Sequence, residues 1–307
     1  MDGSPFHTDE LAAQQRAGFK TTRTGIREFM PEEHRSFFAM LPYVFISVAD
    51  SDGWPIASLL EGDAGFVQSP DPVTLRFGAF PGLDDPANSS IQAEREIGIL
   101  GIDFATRRRN RANGVITHVD ATGFVVAVRQ SFGNCPQYIQ RRTLNRVEMI
   151  RERAQELRSL DDNARTLIDR SDTFLVASRS RPGVGQRGGA DISHRGGRPG
   201  FVRVEGDELS IPDFRGNRYL NTLGNILGEP RTSLLFVDFE TGALLQLQGL
   251  ASIDWDPPEA DRIEGAERIW RFKVTRGWYR PRAAGLRGSF IDYSPVTLRT
   301  GTWAGKH

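Results

Sequence analysis

A single cysteine, Cys135, stands in a chain of 307 residues, which excludes an intrachain disulfide and any multi-cysteine metal site. The five histidines (His7, His34, His118, His194 and His307) are scattered, with no pair at helical ligand spacing, so a histidine-based zinc site is not expected. Net charge is also lacking. The 39 Lys+Arg balance 39 Asp+Glu, and the cationic field of a general nucleic-acid or anionic-membrane binder is absent. No apolar run approaches the ~18 residues that suggest a membrane span. The opening MDGSPFHTDE has neither the basic start nor the apolar stretch of a secretory signal, so a reducing, cytoplasmic setting is expected.

What remains is an ordinary globular composition, 38% hydrophobic and 25% charged, with length for two domains that each bury a core. Residues 9–17 read as a short helix with acidic residues at its start, where the helix dipole favours them. Residues 31–41 read as a second, with Pro31 in its first turn. The runs YVFISVA (43–49), VTLRFGA (73–79), IGILGID (97–103) and GFVVAVR (123–129) are β-branched or aromatic and bounded by turn residues, which predicts strands. From 141 to 170 the pattern predicts helices. Leu144, Val147 and Ile150 recur at threes and fours, and Ser159 with Asp162 suggests a cap. Strands resume at 173–178, 200–205, 232–238, 243–254 and 267–277.

With few helices to cover a parallel sheet, the expected fold class is mainly β, as two tandem antiparallel barrels. The division expected is a helical N-terminal segment to 42, a first barrel over 43–140, a helical linker over 141–171 and a second barrel over 172–307. An internal repeat supports it. At a shift of 135 residues, GWPIASLLEGDAGFV (53–67) falls on GGADISHRGGRPGFV (188–202) with six of fifteen positions matching. At the same shift Asp103-Phe104 falls on Asp238-Phe239, and Gly114 on Gly249.

Two segments of the second half carry chemistry. Residues 183–200 hold seven glycines in eighteen positions, interleaved with Arg187, Arg195 and Arg198. Such a segment is either a mobile hairpin with solvated arginines or a backbone that approaches a ligand closely. Residues 212–228 place Arg215, Asn217 and Arg218 ahead of a helix that begins near Tyr219, with Asn221 and Thr222 in its first turn. That is either a capped surface helix or an anion site, most naturally for a phosphate. The repeat favours the ligand in both cases. In the first half Leu60 stands opposite Arg195, Gly82 opposite Asn217 and Leu83 opposite Arg218, so the first barrel is a degenerate copy.

The stretch Asp191-Ile-Ser193-His-Arg195-Gly196-Gly197-Arg-Pro199-Gly200-Phe201-Val202 resembles the signature of pyridoxamine 5′-phosphate oxidase-like proteins, with His194 where that family has proline. Ile211-Pro212-Asp213, Gly216-Asn217 with Asn221, and the run from Asn225 to Phe236 are also similar to it. Thr106–Arg111 and Ser131–Gln140 are similar to a two-barrel subgroup, and the likeness spans roughly residues 10–255. The resemblance implies split barrels that bind FMN at a barrel edge. By it, Ser193, Arg195, Asn217, Arg218, Asn221 and Thr222 would hold the phosphate and ribityl chain, with Arg215 beside them. Ile211 and Pro212 would border the isoalloxazine through main-chain contacts, and Gln246 or Gln248 would reach its polar edge. It further implies an oxidoreductase acting on a small molecule, with NAD(P)H as a candidate donor. The unequal halves argue for further pairing, so a homodimer is expected, and the balanced charge and lack of a long apolar run leave neither nucleic acid nor membrane as a partner. The rival readings are a haem-binding split barrel using His194 or His307, and a flavin-binding module without turnover.

The other conspicuous features are read plainly. Arg107–Arg111 suits a solvated turn or an anion contact better than nucleic acid, lacking interleaved aromatics. The turn around Cys135 suits a rigid flap over a neighbouring barrel's cofactor better than a nucleophile, since no histidine lies near it in sequence. His34 and His118 are expected at the surface or in caps. Trp270, Trp278 and Trp303 are expected as core or interface anchors.

Overall fold

The computed structural model describes residues 4–22, 24–147 and 152–303. It opens with α1 (Thr8–Arg16), whose start is closed by a reciprocal pair: His7 Nδ1 accepts from Asp9 N, and the Glu10 carboxylate accepts from His7 N at 2.9 Å. Helix α2 (Glu32–Met40) follows. The first sheet comprises β1 (Tyr43–Ala49), β2 (Pro55–Glu61), β3 (Val67–Gln68), β4 (Thr74–Phe77), β5 (Glu96–Asp103), β6 (Arg108–Val119) and β7 (Phe124–Gly133). Then come β8 (Arg141–Arg146), β9 (Gln155–Leu157) and α3 (Asp162–Arg170). The second half holds β10 (Thr173–Arg179), β11 (Ala190–Gly196), β12 (Arg203–Glu205), β13 (Glu208–Phe214), α4 (Asn221–Gly228), β14 (Arg231–Val237), β15 (Leu244–Asp254), β16 (Ala266–Arg280) and β17 (Leu286–Asp292).

The two large sheets have one topology. The first runs β2-β1-β5-β6-β7-β4-β3 and the second β11-β10-β14-β15-β16-β13-β12, the same order with every strand number raised by nine. Every strand pair in both is antiparallel. Each sheet wraps one core. In the first, side chains from all seven strands meet Phe37 and Phe38 of α2; in the second, Phe174, Phe236, Trp270 and Phe272 meet α3 and α4. The fold is mainly β, two split barrels in tandem. The offset between equivalent strands is 130 residues from Tyr43 to Thr173 and 135 from Pro55 to Ala190, so the glycine-rich hairpin between β10 and β11 holds five extra residues.

Strands β1, β2, β5, β10, β11 and β14 are buried on both faces. Their outer faces form a third core between the barrels, with Phe45, Ala57, Leu59 and Leu100 packed on Leu175, Ile192, Leu235 and Leu244. The barrels thus meet through equivalent surfaces, related by a pseudo-twofold axis.

Two expectations are corrected here. Among the described residues the helical reading of 141–170 holds only for α3, capped by Asp161, which accepts from Ala164 N at 2.8 Å, rather than by Ser159. Residues 141–146 are instead a strand paired with β17, and Gln155–Leu157 add to β16. The partner of β8 lies some 145 residues along the chain, so local periodicity could not register it; Ile150 lies outside the described residues. Secondly, His34 is buried, its Nδ1 2.9 Å from Ser131 Oγ, whereas His118 is exposed. Trp270 is core, Trp278 is half-buried beside Arg276, and Trp303 donates to Ser210 O.

Candidate functional site

The centre of the glycine-rich segment, Ala190–Gly196, is strand β11. On β11, Asp191, Ser193 and Arg195 alternate and share one side of the strand. The first barrel's β6 crosses beside them and presents Arg109 and Arg111, likewise two apart. Arg111 donates from Nη1 to Asp191 Oδ1 at 2.7 Å and from Nη2 to Ser193 Oγ at 2.6 Å. Thr222, in the first turn of α4, lies 3.0 Å from the same Ser193 hydroxyl. Arg195 sits 3.7 Å from Asp213, which is also the carboxylate bound by Arg268. Between these groups opens a cleft of about 850 Å3 of empty space, open solvent included.

A second barrel edge and a flap complete it. Asn217 takes its own loop through a turn, its Oδ1 accepting from Tyr219 N, and donates to Asn134 Oδ1 at 3.1 Å from across the barrel boundary. Tyr138 packs against Phe214 and donates to Arg215 O at 2.8 Å. The flap lies hard on the strand. A Cβ on Gly196 would stand 2.0 Å from Tyr138 O, so only glycine lets the two backbones meet. Phe201, Pro212, Phe214 and Leu220 supply the apolar lining.

The loop before α4 is strained and strapped. Arg218 and Leu220 both adopt left-handed backbone, φ 64° and 57°. Residues 7–25 tie the loop down: Gln14 Nε2 donates to Tyr219 O, Thr21 Oγ1 to Arg218 O, and Gly25 N to Tyr219 Oη. Helix α1 rests on α4 so closely that a Cβ on Gly224 would meet Glu10 Cα at 2.5 Å. There Asn221 Nδ2 donates to Glu10 Oε1 at 2.5 Å, and burial lifts the Glu10 carboxyl to about 8.

The electrostatics of the cleft are one-sided. Arg109 Nε, Arg111 Nε, Arg195 Nε, Asn134 Nδ2 and His194 Nε2 are buried and have no hydrogen-bond partner among the described residues. Arg109 forms no ion pair among the described residues; burial, then Arg111 and Arg195, depress its guanidinium to about 9, still cationic at neutral pH. His194 is 4% exposed, and burial followed by the charges of Arg109, Arg195 and Arg142 holds its pKa well below the ordinary value. Its Nδ1 is 3.2 Å from Arg109 Nη1, which can only donate, so the imidazole proton sits on the unpartnered Nε2. A cluster of buried donors without acceptors is what an oxyanion would satisfy.

Of the residues singled out in the sequence, Ser193, Arg195, Pro212, Asn217, Arg218, Asn221 and Thr222 line this cleft together. The Ile211 side chain is fully buried in the second core, opposite Trp270, which leaves only its main chain for the contact expected of it. Arg215 is exposed and contributes its carbonyl to Tyr138. Gln246 and Gln248 lie elsewhere, donating to Ala57 O and Pro55 O, each at 2.9 Å, where β15 meets β2. Arg109 and Arg111, expected only as part of a solvated turn or an anion contact, and His194, expected only as a rival haem ligand, also line the cleft. For the two arginines the signal was the alternation Arg109-x-Arg111, a period of two that marks a strand face where a turn was expected.

No protein-family model matches this sequence, and no curated protein does. Among solved structures, HupZ of Group A Streptococcus matches with 16% identity over 38% of this chain and 89% of its own, at a TM-score of 0.30. A protein of the pyridoxinephosphate oxidase family from Clostridium acetobutylicum, related to general stress protein 26, matches with 15% identity over 42% of this chain and 92% of its own, at a TM-score of 0.29. A FAD-binding protein from Mesorhizobium loti matches with 8% identity over 41% of this chain and 97% of its own, at 0.28. Among the described residues no helix is long and apolar enough to cross a membrane, and no group of three metal-ligating side chains converges.

Proposed function

We propose that the cleft binds FMN and that the chain is a flavin-dependent oxidoreductase of a small molecule. The observation that carries the reading is that five residues with a buried, unpartnered donor line the same cleft as the bonded Ser193 and Thr222 hydroxyls, beside Phe214 and Tyr138. Ser193, Thr222, Arg111, Arg195 and Arg109 would hold the phosphate. Asn134 and Asn217 would meet the ribityl hydroxyls, and Pro212, Phe214 and Tyr138 would border the ring system. When bound, FMN supplies hydride and electron transfer. The protein's own work is positional and electrostatic. The Tyr138 flap limits water, His194 Nε2 offers a proton-bearing donor, and the arginines favour added negative charge. NADH or NADPH is the donor proposed, and a homodimer in the cytoplasm the working state.

The test is the visible spectrum of the purified protein after addition of FMN and removal of the excess. Two flavin bands that are retained by the native chain and lost in Arg195→Ala, with NADH or NADPH oxidation by the loaded protein, are expected. A colourless protein overturns the reading. A Soret band on adding haem, abolished by His194→Ala, replaces it with haem binding. Bound flavin without turnover reduces it to a binding module.

A further inference from the structure

The pseudo-twofold axis gives the cleft a counterpart in the first barrel, and there the donor set is already occupied from within. Its parts correspond by position. Ser58 takes the place of Ser193 and Gln246 that of Arg111, both at the 135-residue offset. Arg280, paired opposite Leu244, takes that of Asn134, whose backbone N–H reaches Arg109 O. Into the middle of them runs Asp85, its side chain 1% exposed.

The Asp85 carboxylate gathers the whole donor set. It accepts from Ser58 Oγ at 2.6 Å, Arg280 Nη1 at 2.6 Å, Ala87 N at 2.8 Å and Gln246 Nε2 at 3.1 Å. Arg280 is braced further by Asp84, at 3.1 and 3.3 Å. A hydroxyl, a backbone N–H, an amide and a guanidinium that converge on one buried acceptor are the partners of a bound oxyanion. In the second barrel the residue at the same offset from Asp85 is Leu220, and Arg111 Nε and Asn134 Nδ2 have no partner among the described residues.

We propose that the first barrel keeps a functional oxyanion site whose occupant is covalently attached. Asp85 is a tethered ligand, filling the place that a free carboxylate or phosphate group takes. Deleting its carboxylate uncovers a second anion site made of Ser58, Gln246, Arg280 and the Ala87 N–H. The proposed site draws Ser58, Asp85 and the Ala87 N–H from the first barrel and Gln246 and Arg280 from strands β15 and β16 of the second, and it does not rest on the flavin reading.

The experiment compares the full chain with Asp85→Ala, free of flavin, by thermal melting in acetate or phosphate against chloride of equal ionic strength, and by calorimetric titration with inorganic phosphate. In chloride the variant is expected to melt about 5–10 °C lower, since Arg280 loses its main partner. Acetate and phosphate then raise its Tm saturably and by more than they raise that of the native chain. Its phosphate stoichiometry exceeds the native value by one, and Asp85→Ala combined with Arg280→Ala shows no such recovery. Equal anion responses in variant and native chain, or an unchanged stoichiometry, overturn the proposal. Should Asp85→Ala not fold in chloride, it and Asp85→Ser are refolded in phosphate. Recovery there supports the tethered ligand, and failure of both variants in every anion overturns it. FMN absorbance, read separately on the same variant, reports on the second barrel only.

Discussion

Ser58 and Ser193 hold the same place in the two barrels, yet one hydroxyl donates at 2.6 Å to the Asp85 carboxylate while the other accepts at 2.6 Å from the Arg111 guanidinium. Both serines sit beside a buried ion pair, Asp85–Arg280 in the first case and Asp191–Arg111 in the second, but only the second leaves donors over, Arg111 Nε and Asn134 Nδ2.

Arg195 faces the open cleft with its Nε unpartnered and only a 3.7 Å approach to Asp213. Arg195→Ala is expected to weaken FMN binding about 10- to 100-fold, the worth of one or two charge-assisted hydrogen bonds. Quenching of flavin fluorescence on titration measures it. An unchanged affinity with an unchanged melting curve would remove Arg195 from the site.

Arg109 is expected to contribute binding at the expense of stability. It lies beside Arg111 and Arg195 and has no ion pair among the described residues. Arg109→Met should therefore raise Tm by about 2–4 °C in the absence of ligand, while lowering affinity for FMN and for free phosphate. A lower Tm in the variant would mean that His194 and the flap depend on this side chain for packing.

Glu10 makes folding pH-dependent. Its carboxyl is lifted from 4.5 to about 8 by burial, and Asn221, His7, Asp191 and Arg111 face it. A proton is held more tightly in the folded chain, so the contribution is complete below about 4.5 and fades as pH rises through about 8. Relative to Glu10→Gln, the native chain should lose on the order of a few kcal/mol across that window. Denaturant melts at pH 5 and pH 8.5 give the difference, and parallel curves for the two proteins would refute it.

Gly196→Ala drives a methyl group into the Tyr138 carbonyl, which would lie 2.0 Å from it. The flap of residues 134–138 must lift. A loss of about 1–3 kcal/mol in stability is expected, together with faster FMN release in stopped-flow displacement. A variant with native release kinetics would show that the flap does not retain the ligand.

The sequence made the duplication legible because glycines and hydrophobic strand residues recur at a fixed offset: Gly53 with Gly188, and Phe66 with Phe201. It also marked Ser193, Arg195, Asn217 and Thr222, which the fold brings to one cleft. What it concealed was non-local. Arg111 belongs to a site 80 residues further on only because the barrels pack β6 against β11. Gln246 resembles a ligand residue until its partner, Ala57 O, is seen to come from the other barrel. Residues 141–146 have helical spacing but find a strand partner near the C-terminal end. In each case the deciding contact spans the chain, and tertiary pairing outweighs local pattern.

The core shared between the barrels has an evolutionary consequence. In a homodimer built on such a surface, every substitution appears twice, and both sites must accept it. Here the partners are two stretches of one chain, joined through Phe45, Leu100, Leu175 and Leu235. A change near Ser58 leaves Ser193 untouched. One half was therefore free to become a fixed clamp while the other kept its opening, and the scaffold could lose half its symmetry without losing its fold.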